Sequence, residues 1–462
     1  MTALLSEQLA QAGVVGAGGA GFPTHIKLTT GKPDTLIVNA AECEPLLHKD
    51  KEIVVHYTEQ FFAGLTAAAQ FTNVENVVIG IKKKYADVID VLQQHLPKNK
   101  LSGKPHFSIA GLDDVYPSGD EFILVYETLH RVIPPGGLPI AVGAVVMNVE
   151  TVYNTAAAWN TEGNNPQTKP VIEKFISIAG DVLHPCTLRV PVGIKLSECI
   201  AAAGGTTTED PAFVVGGAMM GYVETNLNRP VTKTTGGIIV LPKSHFIVQR
   251  KLWDWQRVSR VGKASCDQCS FCTELCPRRL LGHPIEPHRA MRSLGFNLSR
   301  HSDVPGTVFC CSCNLCSYYS CPEGLDPQSV CGENKQRILA EQRQSGKRWE
   351  NPPFVPERAE KIFPNRKTPT SRLIQKIGLS SYKNKAPLND KPIETNEVEI
   401  LLRQHIGAPC VPVVKTGENV SKGQPIAVRP ETDGKKAMGV DIHSSIDGKV
   451  IEITAESIRV RA

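Results

Sequence analysis

Two cysteine runs have a spacing that suits metal chemistry. The first is Cys266-x2-Cys269-x2-Cys272-x3-Cys276-Pro277, and the second is Cys310-x2-Cys313-x2-Cys316-x4-Cys321-Pro322. Three thiols at such intervals let one looping segment occupy three corners of an iron–sulfur cubane. Tetrahedral zinc also favours Cys-x2-Cys pairs, but it needs four ligands per site and no third closely spaced member. Each run supplies three thiols and then Cys-Pro. The spacing points to two [4Fe–4S] clusters.

A fourth thiolate must arrive from farther along the chain. In two-cluster ferredoxins, which these runs resemble, it serves the other cluster. The pairing implied is Cys266, Cys269, Cys272 and Cys321 around one cluster, with Cys310, Cys313, Cys316 and Cys276 around the other. Cys311 is an alternative to Cys310 in register, though Cys310 keeps the x2-x2 spacing; Cys331 lies outside the pattern. Ten of the fourteen cysteines fall between Cys266 and Cys331. In a long chain whose start has no basic n-region or apolar core of an export signal, such crowding favours ligand thiolates over disulfides. Cys43, Cys186, Cys199 and Cys410 read as small buried hydrophobes.

A second kind of chemistry is offered by Gly16-Ala17-Gly18-Gly19-Ala20-Gly21-Phe22-Pro23-Thr24. Backbone without side chains can approach a phosphate or a flat ring, and Lys27 can meet a phosphate's charge. It is not the dinucleotide fingerprint, which should follow an initial strand. A turn with a packing role is the alternative. Asn39-Ala40-Ala41-Glu42-Cys43-Glu44-Pro45 then places two carboxylates at the end of an apolar run, where they need solvent or a useful hydrogen bond. Pro134–Pro139 and Asn148 supply a further tight loop and a polar residue after an apolar stretch.

The elements that must position these groups read as α/β. TLIVNA, NVVIG and the run from 141 to 148 look like buried strands, and 51–71 and 82–96 like helices packed on them. FISIAG, TLRVPVG, AFVVGG and GGIIVLP, with a helix over 196–203, suggest a β-grasp or mixed β domain. Residues 286–294 predict a helix between the cysteine runs, hence a helical variant of a ferredoxin-like dicluster module. The C-terminal region reads as short strands of a small β-barrel or sandwich. The expected division is 1–168, an α/β domain; 169–250, β-grasp; 255–342, dicluster; 343–392, linker or wrapping segment; and 393–462, barrel-sandwich.

At 462 residues the chain suggests several domains. A net charge of +5 specifies no nucleic-acid partner, and no run reaches the roughly 18 apolar residues of a membrane span. A cytoplasmic setting is expected.

The motifs together resemble a known family. GAGGAGFPTHIK with NAAECEP is similar to the flavin- and NADH-binding domain shared by the complex I 51-kDa subunit and the RnfC subunit; PPGGLP with AVVMNVET resembles that domain's later signature. GGAMMG and PVTK resemble the soluble-ligand-binding β-grasp region, and APCVPVVKTGENVSKGQPIA the small barrel that RnfC carries first. Here the barrel comes last, as in the cobalamin reductases of propanediol-utilisation microcompartments. Carried over, Gly16, Gly18, Gly19, Gly21, Phe22 and Lys27 match the FMN loop. Asn39, Glu42 and Glu44 match the second flavin and nicotinamide segment, and Asn148 a flavin-side asparagine. One departure is Leu46, where complex I has glycine.

The resemblance assigns FMN and NADH binding to residues 1–168 and implies an NADH-dependent flavin iron–sulfur oxidoreductase. Electrons would pass through FMN and the clusters to a corrinoid, taking cob(III)alamin to cob(II)alamin, with the further step to cob(I)alamin left open. The protein's task is then to place and tune cofactors, with no acid–base residue assigned. A corrinoid adenosyltransferase and microcompartment shell proteins are the implied partners, and a microcompartment the implied location. An RnfC-like electron-input subunit and a cluster relay without NADH activity are the competing readings.

Overall fold

The structure is a computed structural model describing residues 2–97, 105–159, 169–296, 304–346, 359–382 and 385–462. The boundary expected at 168 and residues 347–358 of the expected linker lie outside them.

Four parallel strands form the first sheet, in the order His106–Leu112, Asn76–Lys82, Thr35–Ala40, Ala144–Asn148. Both faces are covered, so the strands are apolar nearly throughout. Leu36 and Val38 pack with Phe61 and Leu65 of the Thr58–Thr72 helix. Their neighbour Ile37 points the other way, toward Leu124 of the Glu121–Leu129 helix. The strand order reverses at Thr35–Ala40, and crevices at such reversals, outside the strands' carboxyl ends, are where ligands bind in open α/β sheets.

Local departures from the expected elements have physical causes. The helix expected over 51–71 is two, Lys49–His56 and Thr58–Thr72, because Tyr57 at φ −128°, ψ 39° leaves helical geometry. The next helix begins only at Ala86, since the preceding strand runs on to Lys82, whose buried ammonium pairs with Asp114 at 3.1 Å. The strand expected from 141 starts at Ala144, after a 3-10 turn over Pro139–Val142.

The second domain is a six-stranded mixed sheet around the Glu173–Gly180 and Gly237–Pro242 pair, with the Leu196–Ala202 helix on its core. The dicluster region is helical, built on Trp255–Ser265, Pro287–Gly295 and Pro327–Ser345 with Val258, Met291, Leu294 and Val330 between them. The C-terminal strands form a four-stranded and a three-stranded sheet around Val398, Ile426, Val450 and Ile458, with a small exposed hairpin over 431–436.

Residues 359–392 strap the domains together over their described length. Thr368–Pro369 pairs with Val115–Tyr116 of the first domain, and Leu388–Asn389 extends the second sheet beside Thr187. The barrel returns to the N-terminus: the Ile406 amide donates to the Gly21 carbonyl at 2.9 Å, and the Asp441 amide to Ala10 at 2.9 Å.

Candidate flavin cleft and dicluster centre

A cleft of about 360 Å³ opens at the carboxyl ends of the first sheet's strands. Gly16, Gly18 and Phe22 form one wall, Asn39, Glu42 and Glu44 another, and Asn148 closes the base. The bare backbone matters at Gly18, where a Cβ would stand 3.4 Å from that of Asn148 and fill the cradle between them. This shape and lining fit a flavin.

The cleft's polar groups are held from behind. Asn148 donates to Asp50 at 2.7 Å, and its own oxygen caps the Val149–Ala158 helix at Glu150. Lys49 is buried and bonds both Asp50, at 2.7 Å, and Glu150, at 3.0 Å. Lys174, on the first strand of the second domain, also pairs with Glu150. Two ammonium groups and two carboxylates thus neutralise one another under the cleft floor. Burial, aided by Lys49, pulls Lys174 down to about 8 even against Glu150, whereas Glu150 is held low, against burial, by the two lysines.

Glu42 and Glu44 behave differently from free loop carboxylates. Burial raises both, Glu42 with help from Asp50, and Glu44 reaches about 7. Glu42 accepts from the Glu44 amide at 3.0 Å. Glu44 reaches into the second domain, where it accepts from the amides of Met219 and Met220, each at 2.8 Å.

The cysteine runs adopt the same backbone course. Gln268 and Ser270 in the first, Ser312 and Asn314 in the second, all have φ between 59° and 63°. That equivalence aligns Cys266 with Cys310, Cys269 with Cys313 and Cys272 with Cys316. Burial and then Cys321, Cys266 and Cys269 push Cys272 up to about 12. Burial, Cys311 and Cys310 do the same to Cys276. Left to themselves these crowded, buried thiols stay protonated; an iron–sulfur core would supply the positive charge that lets them bind as thiolates. Among the described residues no three such side chains are close enough for a single metal ion. One small cavity among the thiols is lined by Cys276, Cys310, Cys313 and Cys316, with Cys311 and Cys331 also on its wall. The donor set fits two cubanes.

Not every expected residue lies where the motif suggested. Gly19 and Gly21 do not line the cleft; Gly21, at φ 65°, is buried where a Cβ would meet Thr234 at 2.9 Å and the His405 backbone at 3.4 Å. Lys27 lines the cleft but is paired with Glu121 at 2.8 Å. Asn39 spends its amide on the Gly119 carbonyl at 2.8 Å. The cleft lining also includes residues that sequence reasoning did not assign to the site, among them Asp50, Asp120, Glu121 and Thr151, together with Cys43, read as a buried hydrophobe, and Met220, read only as part of the β-grasp motif. Cys331 was also missed, although its hydrogen bond draws the Cys310 thiol down to about 6. Two histidines near the domain junctions have structural roles: His245 caps a helix at Ile247, and His283 is buried against the Ile133 carbonyl.

Comparison with known proteins matches each region. Residues 9–157 match the Nuo51 FMN-binding domain, 175–223 the SLBB domain, 265–326 a 4Fe-4S dicluster domain and 375–461 the RnfC barrel sandwich hybrid domain. Cobalamin reductase PduS of Citrobacter freundii is 41% identical over 99% of this chain and 96% of its own length. The PduS of Salmonella typhimurium is 40% identical over the same shares. A component of the proton-translocating ferredoxin:NAD(+) oxidoreductase complex of Clostridium ljungdahlii is 31% identical over 58% of this chain and 55% of its own length. The chain is a flavin iron–sulfur oxidoreductase. With full-length similarity and all four regions in the same order, it belongs to the cobalamin reductase PduS family.

Proposed function

We propose that this protein takes electrons from NADH into FMN and passes them through two [4Fe–4S] clusters to a corrinoid, reducing cob(III)alamin to cob(II)alamin. One observation carries the reading. Cys313, of the second cysteine run, lines the same cleft as Gly16, Gly18 and Asn148. A flavin there and a cluster on that run would share a wall, so an electron need not cross solvent.

In this reading FMN bound in the cleft would supply the link between two-electron hydride chemistry and the one-electron chemistry of the clusters. Gly16, Gly18 and Phe22 hold the flavin, Asn148 and Asp50 orient it, and Glu42 and Glu44 border the nicotinamide. Cys310, Cys313, Cys316 and Cys276 hold the nearer cluster; Cys266, Cys269, Cys272 and Cys321 hold the farther one. Hydrogen bonds to sulfur tune such clusters; the Ser312 amide reaches Cys310 at 3.4 Å and the Leu325 amide Cys321 at 3.3 Å. The names of the relatives support the corrinoid as acceptor. A corrinoid adenosyltransferase would consume the reduced product, and a microcompartment would house both; the family resemblance supports these two.

The test is anaerobic purification, flavin extraction, iron and acid-labile sulfide analysis, and NADH-driven reduction of hydroxocobalamin. Bound FMN, about eight irons per chain and cobalamin reduction are expected. Stoichiometric zinc without sulfide, or flavin that NADH does not bleach, would overturn the reading.

A further inference from the structure

A second cleft, of about 380 Å³, opens in the dicluster region and shares no lining residue with the flavin cleft. It runs between the Trp255–Ser265 and Pro287–Gly295 helices, with Gly262, Met291, Arg292, Gly295 and Phe296 along it and Cys266 at its edge. The flavin cleft touches Cys313 of one run, and this one touches Cys266 of the other. The two openings therefore adjoin different cysteine runs.

The lining is unusual for free surface. Phe296 is 65% exposed although its ring is wholly apolar. The helices come close at Gly262, where a Cβ would meet Leu294 at 2.9 Å and Met291 at 3.1 Å. At Gly295 a Cβ would meet nothing within 4 Å, so bare backbone faces open space. Arg292 is an exposed cation at the rim. An apolar floor with bare backbone suits the face of a broad ring, and the guanidinium suits a phosphodiester beside it.

We propose that this cleft is the acceptor site, and that the corrinoid binds there with its ring over Met291 and Phe296 and its phosphodiester toward Arg292. The inference rests on the corrinoid reading above. A reduced cluster held at Cys266 would supply the one electron that takes cobalt from Co(III) to Co(II), itself becoming oxidised, and the hydroxide of hydroxocobalamin would take a proton from solvent and leave as water. Donor and acceptor thus bind at separate openings, so neither must leave before the other enters.

The test is equilibrium binding of hydroxocobalamin to the oxidised, cluster-loaded protein by calorimetry, alongside iron and sulfide content. Arg292→Glu and Phe296→Ala alter exposed side chains, and Gly295→Trp fills the cleft without breaking a buried contact. Each should weaken binding about tenfold at wild-type iron content, and the Arg292→Glu effect should shrink as salt is raised. Wild-type binding that all three variants retain would overturn the site while leaving the corrinoid reading intact. No binding by the wild type would overturn both.

Discussion

The Glu44 carboxylate lies 2.8 Å from the Met220 amide and, through its other oxygen, 2.8 Å from that of Met219. The Met219 carbonyl in turn accepts from the Asn314 side chain at 2.8 Å, within the second cysteine run. One β-grasp loop therefore ties a strand end of the flavin domain to a cluster loop. The approach depends on Gly217, at φ 124°, where a Cβ would stand 2.5 Å from Glu44. Glu44→Gln keeps one acceptor and turns an N–H toward the other amide, leaving a buried donor unpaired. A loss of about 1–3 kcal/mol is expected in denaturant unfolding. Glu44→Ala should lose at least as much.

Leu46 tests two opposed effects. It sits at φ 69°, where complex I has glycine and where a side chain costs about 1–2 kcal/mol. Yet it is only 7% exposed and packs in the core shared by the β-grasp and dicluster regions. Removing a buried leucine costs about 2–5 kcal/mol. Packing wins, so Leu46→Gly should be destabilising by roughly 2 kcal/mol despite the relief of strain, measured by the shift in denaturation midpoint.

The sequence disclosed those parts of the site that local spacing encodes. The cysteine register, the buried strands and the apolar runs of the β-grasp domain are periodic or motif-bound, so neighbours in the chain declare them. Asp50, Thr151 and Met220 reach the cleft only because the strand order reverses at Thr35–Ala40 and the β-grasp loop folds back onto Glu44; nothing adjacent to them announces it. Gly21 shows the converse. Its motif suggested the ligand, whereas a tertiary contact with His405 and Thr234 uses its missing Cβ. Lys27 likewise reads as a free charge in the sequence, because its partner Glu121 lies far along the chain.

The buried quartet beneath Asn148 predicts an asymmetry. Glu150 serves two ammonium groups and also accepts from the Phe175 amide at 3.1 Å. Glu150→Gln leaves both lysines under-compensated and should destabilise by about 3–5 kcal/mol. Lys174→Met removes one cation whose charge burial already opposes, and leaves Glu150 bonded to Lys49. Its cost should be clearly smaller by thermal and chemical unfolding.

Acid should loosen the seam between barrel and flavin loop. Burial, then Lys233, lowers His443 to about 3; burial, then Arg429, lowers His25 to about 4. Between those values and 6.5 the unfolded chain binds more protons than the folded one. Stability is therefore full above about pH 6.5 and falls as pH drops toward the folded values. For His443 alone the loss by pH 4 is on the order of 3 kcal/mol. Unfolding followed at pH 7, 5.5 and 4 should show it, and His443→Gln should flatten the dependence.

The crossing of cysteines between runs can be read from which cluster a single exchange removes. The thiols crowding Cys272 are Cys321, Cys266 and Cys269, whereas those crowding Cys276 are Cys311 and Cys310. Cys276→Ser should therefore empty the cluster held by the second run, the one beside the flavin at Cys313. Cys321→Ser should empty the distant one. Iron falls from about eight to about four in both, so content cannot tell them apart, but NADH can. In Cys321→Ser the surviving cluster adjoins the flavin and should still be reduced by NADH, giving a low-temperature paramagnetic signal. In Cys276→Ser the survivor is cut off from the flavin, so NADH should bleach flavin absorbance and leave that cluster oxidised, while dithionite still reduces it. The reverse pattern would mean that each run closes its own cluster.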